Sequence, residues 1–252
     1  MTETRRLYYE DVYKKEFTAT VVECRERKKG YAIILDESAF YPEGGGQPSD
    51  VGTLGDAKVT EVHEKDGELL HCTDKALEVG VKVEGKIDWT RRFDLMQQHS
   101  GEHMVSGIIH AKYGYDNVGF HMGGDVITVD LNGMLDEAQL AEIEQEVNER
   151  VWEDKEVQIT YPTAEELQAL DYRSKKELTG QVRIVTFPGV DVCACCGTHV
   201  THTGEIGMVK LLSVVKFRDG IRMEMICGKR VLDYLNMVND QNHQISVKLS
   251  AK

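Results

Sequence analysis

The sequence predicts an α+β fold in two parts, a small β-barrel over residues 1–90 and an α+β domain over residues 91–252. Three observations carry this. Short β-rich runs separated by Gly or Asp turns fill the first 90 residues without a convincing helix. Beyond Asp88 the apolar spacing lengthens to that of helices, and two capping boxes appear. Strand-like runs then return among the helical ones, with no internal repeat and no low-complexity segment.

Taken in order, Phe17–Cys24 and Tyr31–Asp36 read as strands about the charged turn Arg25–Gly30. Gly52–Val62, Glu68–Cys72 and Lys82–Trp89 read as further short strands. Thr90 is placed to cap a helix from Arg92 to Ile109, with Tyr113-Gly114 as its stop. Phe120–Leu131 reads as one strand. Asp136 opens a second helix, boxed by Gln139, with Leu140, Ile143, Val147 and Val151 as its apolar stripe. Thr163 and Glu166 box a shorter helix. Strands are expected at Gln181–Phe187, Gly207–Lys216 and Ile221–Cys227. A last helix follows over Lys229–Asn239, with Val231, Leu232, Leu235 and Val238 on one side.

Composition narrows the class. The 252 residues are 41% apolar and 29% charged, ordinary for a globular protein. No run approaches the roughly 18 apolar residues of a membrane helix, and no apolar run follows the basic N-terminal residues, so a cytoplasmic address is expected. The net charge of −13, from 43 acidic and 30 basic residues, argues against a broad nucleic-acid-binding surface. Local basic runs remain at Arg25, Arg27, Lys28 and Lys29, at Arg91 and Arg92, at Lys175 and Lys176, and at Lys216, Arg218 and Arg222.

Six cysteines include the crowded Cys193-Ala-Cys195-Cys196, with His199 just after. In a chain expected in a reducing compartment such a cluster points to metal or redox chemistry. His99 and His103 lie four apart in a helical stretch, which puts both imidazoles on one face. Cys195 and His199 repeat that spacing far downstream. His99, His103, Cys195 and His199 together form a borderline-soft N and S donor set that suits one tetrahedral zinc ion. Cys193 and Cys196 compete with Cys195 for the sulfur role, and the matching spacing favours Cys195. Four protein ligands ordinarily close a structural site, whereas catalytic zinc keeps a position open. Ser100 follows His99 where a thermolysin-like protease has Glu, so that reading fails. The helical angle of Glu102 turns it from the histidine face, toward solvent.

Phe40-Tyr-Pro-Glu-Gly44-Gly45-Gly46-Gln47-Pro48-Ser-Asp50 holds three consecutive glycines without a P-loop or dinucleotide fingerprint, which leaves nucleotide-dependent chemistry unsupported. Either a tight linking turn or a loop that meets RNA or an active-site rim fits it.

With these motifs in order, the chain resembles the editing domain of alanyl-tRNA synthetases and the free-standing AlaX-type editing proteins. Thr201-His-Thr-Gly-Glu-Ile-Gly207 and Gly220-Ile-Arg-Met-Glu-Met-Ile-Cys-Gly228 add to the likeness, which spans about residues 10–235. Cys196 stands where the family often has glycine. The resemblance implies a β-barrel followed by an α+β editing domain with one zinc ion per chain. It also implies ATP-independent hydrolysis, in trans, of the ester in Ser-tRNA(Ala) and also Gly-tRNA(Ala), as in the medium-length class. The cation would either acidify the attacking water or only position the ester. His99, His103 and His121 are the candidate catalytic residues. Gly44, Gly45, Gly46, Gln47 and Thr198 are candidates for meeting the tRNA acceptor end, and Thr128 or Thr198 for favouring the serine hydroxyl. No membrane partner is expected, and a monomer is. Three other readings stay open: a non-catalytic zinc module that binds RNA or protein, a zinc hydrolase of another small ester or amide, and a threonyl-type editor, against which the glycine loop counts.

Overall fold

The computed structural model describes residues 3–174 and 180–250, so the Lys175–Lys176 pair lies outside the described residues. The chain divides into two compact units, one holding the residues up to 99 with 196–200, the other 100–195 with the remainder.

In the first unit, β1 (Arg5–Arg6) pairs with β4 (Glu37–Ser38), and a single helical turn, α1 (Leu7–Glu10), follows β1. Six strands close a barrel in the order β2-β3-β7-β6-β5-β8. They are β2 (Glu16–Glu26), β3 (Tyr31–Leu35), β5 (Gly52–Leu54), β6 (Ala57–Lys65), β7 (Glu68–Thr73) and β8 (Lys82–Ile87). Alternation fills the interior: Phe17, Ala19 and Val21 from β2 meet Ile33 and Leu35 from β3 and Val59 and Val62 from β6. The odd step from Val59 to Val62 is made by a bulge between Val59 and Glu61. The single strand expected over Gly52–Val62 is instead a hairpin, because Gly55 at φ 56° turns the chain there.

Two buried polar groups anchor this unit. Arg92 (0% exposed) and Asp50 (1%) pair through the guanidinium Nε at 2.9 and 3.0 Å and through NH2. Arg92 also donates to the carbonyls of Ala39 (2.7 Å) and Val12 (3.1 Å), and Asp50 accepts from the Tyr41 amide (2.7 Å). His71, fully buried on β7, donates from Nδ1 to the Ile33 carbonyl (2.9 Å) and accepts from the Ser38 hydroxyl at Nε2 (2.7 Å). Burial pushes its imidazole down to about 4.

Helix α2 (Trp89–Tyr113) starts earlier than expected. Thr90 lies inside it, and Asp88 is the cap, its side chain accepting from the Arg91 amide at 3.1 Å.

The second unit contains the antiparallel sheet β14-β15-β10-β9 and the three-stranded sheet β11-β12-β13. Asn117–Met122 (β9) and Ile127–Leu131 (β10) form a hairpin about Gly123-Gly124, not one strand over Phe120–Leu131. Helix α3 (Glu137–Trp152) carries the expected Asp136–Gln139 capping box and buries Ile143, Val147 and Val151. Its Asn148 brackets the backbone of Val209, accepting from the amide and donating to the carbonyl at 2.9 Å each. Gln158–Thr160 is β11, and α4 (Ala164–Ala169) follows the Thr163–Glu166 box. Ile184–Phe187 (β12) pairs with Asp191–Ala194 (β13), a strand the sequence pattern hid. A 3-10 turn at Thr203–Ile206 leads to β14 (Val209–Phe217), β15 (Gly220–Cys227) and α5 (Lys229–Lys248). Helix α5 runs past the expected end at Asn239, and half of its expected apolar side is bare: Val231 is buried and Val238 half-buried, but Leu232 is 58% and Leu235 47% exposed. Among the described residues no helix is long and apolar enough to cross a membrane.

Two outcomes follow for the barrel. Asp50→Ala strands a buried guanidinium and should cost about 3–5 kcal/mol in urea unfolding. Neutral His71 stabilises the fold above the ordinary histidine value of 6.5, and this contribution is lost as pH falls through about 4. His71→Gln keeps both hydrogen bonds without the proton, so its urea midpoint should fall less than the wild type's between pH 7 and pH 4.

Candidate metal centre

Seven polar residues on the middle turns of α2, Gln97, Gln98, His99, Ser100, Glu102, His103 and Ser106, are buried. Each needs a partner in place of water. His99 and His103, one turn apart, are 2% and 3% exposed.

In the second unit, His103 donates from Nδ1 to Asp191 at 2.8 Å. Asp191, at the start of β13, is also clamped by Arg173, whose Nε and NH2 each donate at 2.8 Å. Burial alone would depress the His103 imidazole, but its hydrogen bonds to Asp191 and Cys195 raise it well above the ordinary value. Burial would likewise raise Asp191, yet His103 and Arg173 hold it below the usual carboxylate range. This carboxylate–imidazole pairing leaves Nε2 of His103 as the nitrogen for an ion.

In the first unit, the triple glycine forms a tight turn. Gly44 and Gln47 exchange amide-to-carbonyl bonds at 3.1 and 3.0 Å. Gly45 and Gly46 have φ of 61° and 84°. That is the type I′ geometry, in which both central residues favour glycine. The apex is exposed, but Gln47 is fully buried. Its Oε1 lies 2.8 Å from His99 Nδ1 and accepts from the Thr198 amide at 3.1 Å, while Nε2 donates to the Thr198 hydroxyl at 2.7 Å. The rings of His99 and His199 lie 4.5 Å apart.

The three cysteines of the cluster sit differently. Cys193 is buried on β13 opposite Val185, and burial raises its thiol. Cys195 is half-buried, its amide donating to the Arg183 carbonyl at 3.1 Å. Cys196 is exposed, and its carbonyl accepts from the Tyr9 hydroxyl at 3.0 Å.

His99 and His199 give the first unit two imidazoles with rings 4.5 Å apart, and His103 and Cys195 give the second unit a hydrogen-bonded imidazole and thiol. Three imidazoles and a thiolate fit a tetrahedral zinc-type ion and suit the harder, oxygen-seeking cations poorly. Two smaller groups fit an ion less well. In His103, Asp191 and Cys193, the carboxylate is already clamped by Arg173 and burial keeps the thiol protonated. In Glu61, His63 and Cys72 on the barrel, the Arg27 guanidinium sits on the sulfur and Glu61 already bonds His63 at 3.1 Å.

Glu102 departs from its expected solvated place. It is 1% exposed and accepts from the Ser106 hydroxyl at 2.6 Å and from the Asn117 side-chain amide. His121 is exposed on β9, opposite Thr128 of β10, and belongs to none of the three groups. A cavity of about 860 Å³ in the second unit is lined by Asn117, Tyr172, Arg173, Phe187, Asp191 and Cys193 among others, and by none of the four clustered residues. Asp191, Arg173 and Asn117 were not singled out from the sequence. Asp191 did carry a signal, as the lone carboxylate in the apolar run that leads into the cysteines.

Similarity to known proteins agrees with this geometry. The chain is 35% identical over 243 residues to the alanyl-tRNA editing protein AlaX-L of Pyrococcus horikoshii, with 92% of the chain and 60% of that protein covered. The chain is a relative of the alanyl-tRNA editing proteins. The alanyl-tRNA editing protein of Mus musculus is 32% identical over 244 residues, covering 89% of the chain and 59% of its own length. An alanine–tRNA ligase of Methanobrevibacter smithii is 36% identical over 255 residues, which are 94% of the chain and 28% of the ligase. The family model of the threonyl and alanyl tRNA synthetase second additional domain matches residues 182–222. That of class II (A) tRNA synthetases matches residues 2–91. The chain thus spans about 60% of the length of the editing relatives.

The support behind His103 can be tested directly. Asp191→Asn should weaken zinc binding about 10–100-fold in a competition titration against a chromogenic chelator.

Proposed function

We propose that the chain is a trans-editing hydrolase that deacylates mischarged tRNA(Ala), chiefly Ser-tRNA(Ala) and also Gly-tRNA(Ala). The observation that carries this reading is a donor set of three imidazoles and one thiolate, His99 and His199 in the first unit and His103 and Cys195 in the second, in a relative of alanyl-tRNA editing proteins. His99, His103, Cys195 and His199 are the proposed ligands of one zinc ion. When bound, the ion supplies a Lewis-acid centre beside the ester.

The chain's own residues do the rest. Asp191 and Arg173 hold the His103 ring in one orientation, so that a ligand nitrogen faces the reacting ester with no reorganisation. In the reaction, a water oxygen bonds to the ester carbonyl carbon, the bond to the ribose oxygen breaks, and that oxygen takes a proton. His121, exposed on β9, is proposed to serve this proton movement, and Thr128 across from it to meet the serine hydroxyl. The exposed apex at Gly45 and Gly46, beside Gly44, is proposed to meet the acceptor-end backbone. Gln47 and Thr198, bonded to each other beneath that apex, hold the loop in place.

A physical need stands behind such an activity. An apolar alanine pocket rejects an added hydroxyl by only about 100-fold, so a second, hydrolytic selection is required.

The test is hydrolysis of Ser-tRNA(Ala), Gly-tRNA(Ala), Ala-tRNA(Ala), Ser-tRNA(Thr) and a simple seryl ester by the wild type, by His103→Ala and by chelated protein. Ser-tRNA(Ala) should be cleaved, Ala-tRNA(Ala) spared, and both the variant and the chelated protein should lose at least about 100-fold in rate. Full rate in metal-free protein overturns the zinc assignment. Preference for Ser-tRNA(Thr) or for the simple ester overturns the substrate assignment.

A further inference from the structure

The geometry points to Gln47 as a positioning residue that sets the tautomer and ring orientation of His99 for metal binding, delivered there by the triple-glycine turn. The inference rests on His99 being a metal ligand, as in the proposed function, and assigns Gln47 a task apart from contact with RNA.

The carboxamide orientation is fixed by its neighbours. The Thr198 amide can only donate, so the Gln47 atom 3.1 Å from it is the oxygen. That same oxygen lies 2.8 Å from His99 Nδ1. An amide oxygen cannot donate, so Nδ1 carries the proton and Nε2 carries the lone pair. A ligand imidazole needs this tautomer, with the nitrogen distal to the support left for the ion.

The backbone is shaped around this contact. A Cβ at Gly197 would stand 2.1 Å from His99 Cε1, so only glycine admits the ring there. Gly45 and Gly46 reverse the chain within two residues, and Gln47, directly after them, is fully buried. The Thr198 hydroxyl and amide grip opposite ends of the same carboxamide, which prevents a flip that would present NH2 to the imidazole. The two helical histidines therefore have supports of different charge. His103 leans on a carboxylate, whereas His99 leans on a neutral amide that fixes its tautomer without adding charge.

The experiment measures zinc affinity of the full chain by chelator competition for the wild type, Gln47→Glu and Gln47→Met. Met keeps the volume and removes the acceptor, so affinity should fall about 10–100-fold. Glu restores an acceptor, so affinity should stay within about threefold of the wild type. A folded Gln47→Met that binds zinc as the wild type does overturns the inference, since a merely structural role lowers the melting temperature and leaves affinity alone. If Gln47→Met does not fold, long-range ¹⁵N–¹H NMR of the zinc-loaded wild type decides: a proton on His99 Nδ1 supports the role, and one on Nε2 overturns it. A wild type that binds zinc but leaves Ser-tRNA(Ala) intact removes the proposed function and leaves this inference standing.

Discussion

An imidazole buried in a helix must have its N–H satisfied, and much of this structure answers that demand. Leaving such a group unpaired costs about 1–3 kcal/mol, a large share of a domain's net stability. The middle turns of α2 bury a run of polar side chains, and several of their partners come from remote parts of the chain. Gln47 serves His99, Asp191 serves His103, and Asn117 with Ser106 serves Glu102. The helix thus ties down Gln47, Asp191 and Asn117, each more than ten residues away in sequence from the side chain it meets.

The partners also sort the histidines electrically. A carboxylate behind His103 makes it strongly basic, and the second cation, Arg173, keeps that carboxylate ionised despite burial. A neutral amide behind His99 fixes geometry alone. The two helical histidines therefore differ in the charge of the group behind them, an asymmetry that their identity in the sequence does not suggest. Arg173 also accounts for the depth at which the carboxylate can sit, since a lone buried charge would neutralise itself.

Local rules were legible in the sequence wherever they act within a few residues. Both capping boxes, at Asp136 with Gln139 and at Thr163 with Glu166, form as written, and four of the six barrel strands, β2, β3, β7 and β8, fall close to their expected spans. The four-residue spacing of His99 and His103 pointed to two imidazoles one helical turn apart, and both are buried on α2. What stayed hidden depends on tertiary partners. Glu102 reads as a surface glutamate until Asn117 and Ser106 close on it, and β13 is too short to show a period of two. Asp88 caps where Thr90 also could, because Trp89 and Thr90 are drawn into the first turn. The glycine run read equally well as a linker or a binding loop, and its geometry makes it a turn that delivers a buried side chain.

The bareness of α5 has a dynamic consequence. Of its 20 residues only Val231 is buried, so most of its length relies on its own backbone hydrogen bonds. Isolated helices of this size are marginal in water, and such a helix opens by fraying from the end farther from its buried anchor. Amide exchange should therefore be graded along it, nearly unprotected around Ile245 and slower near Val231. The centre of α2 should exchange only when the whole unit opens, so a single protein would display both extremes of helical persistence.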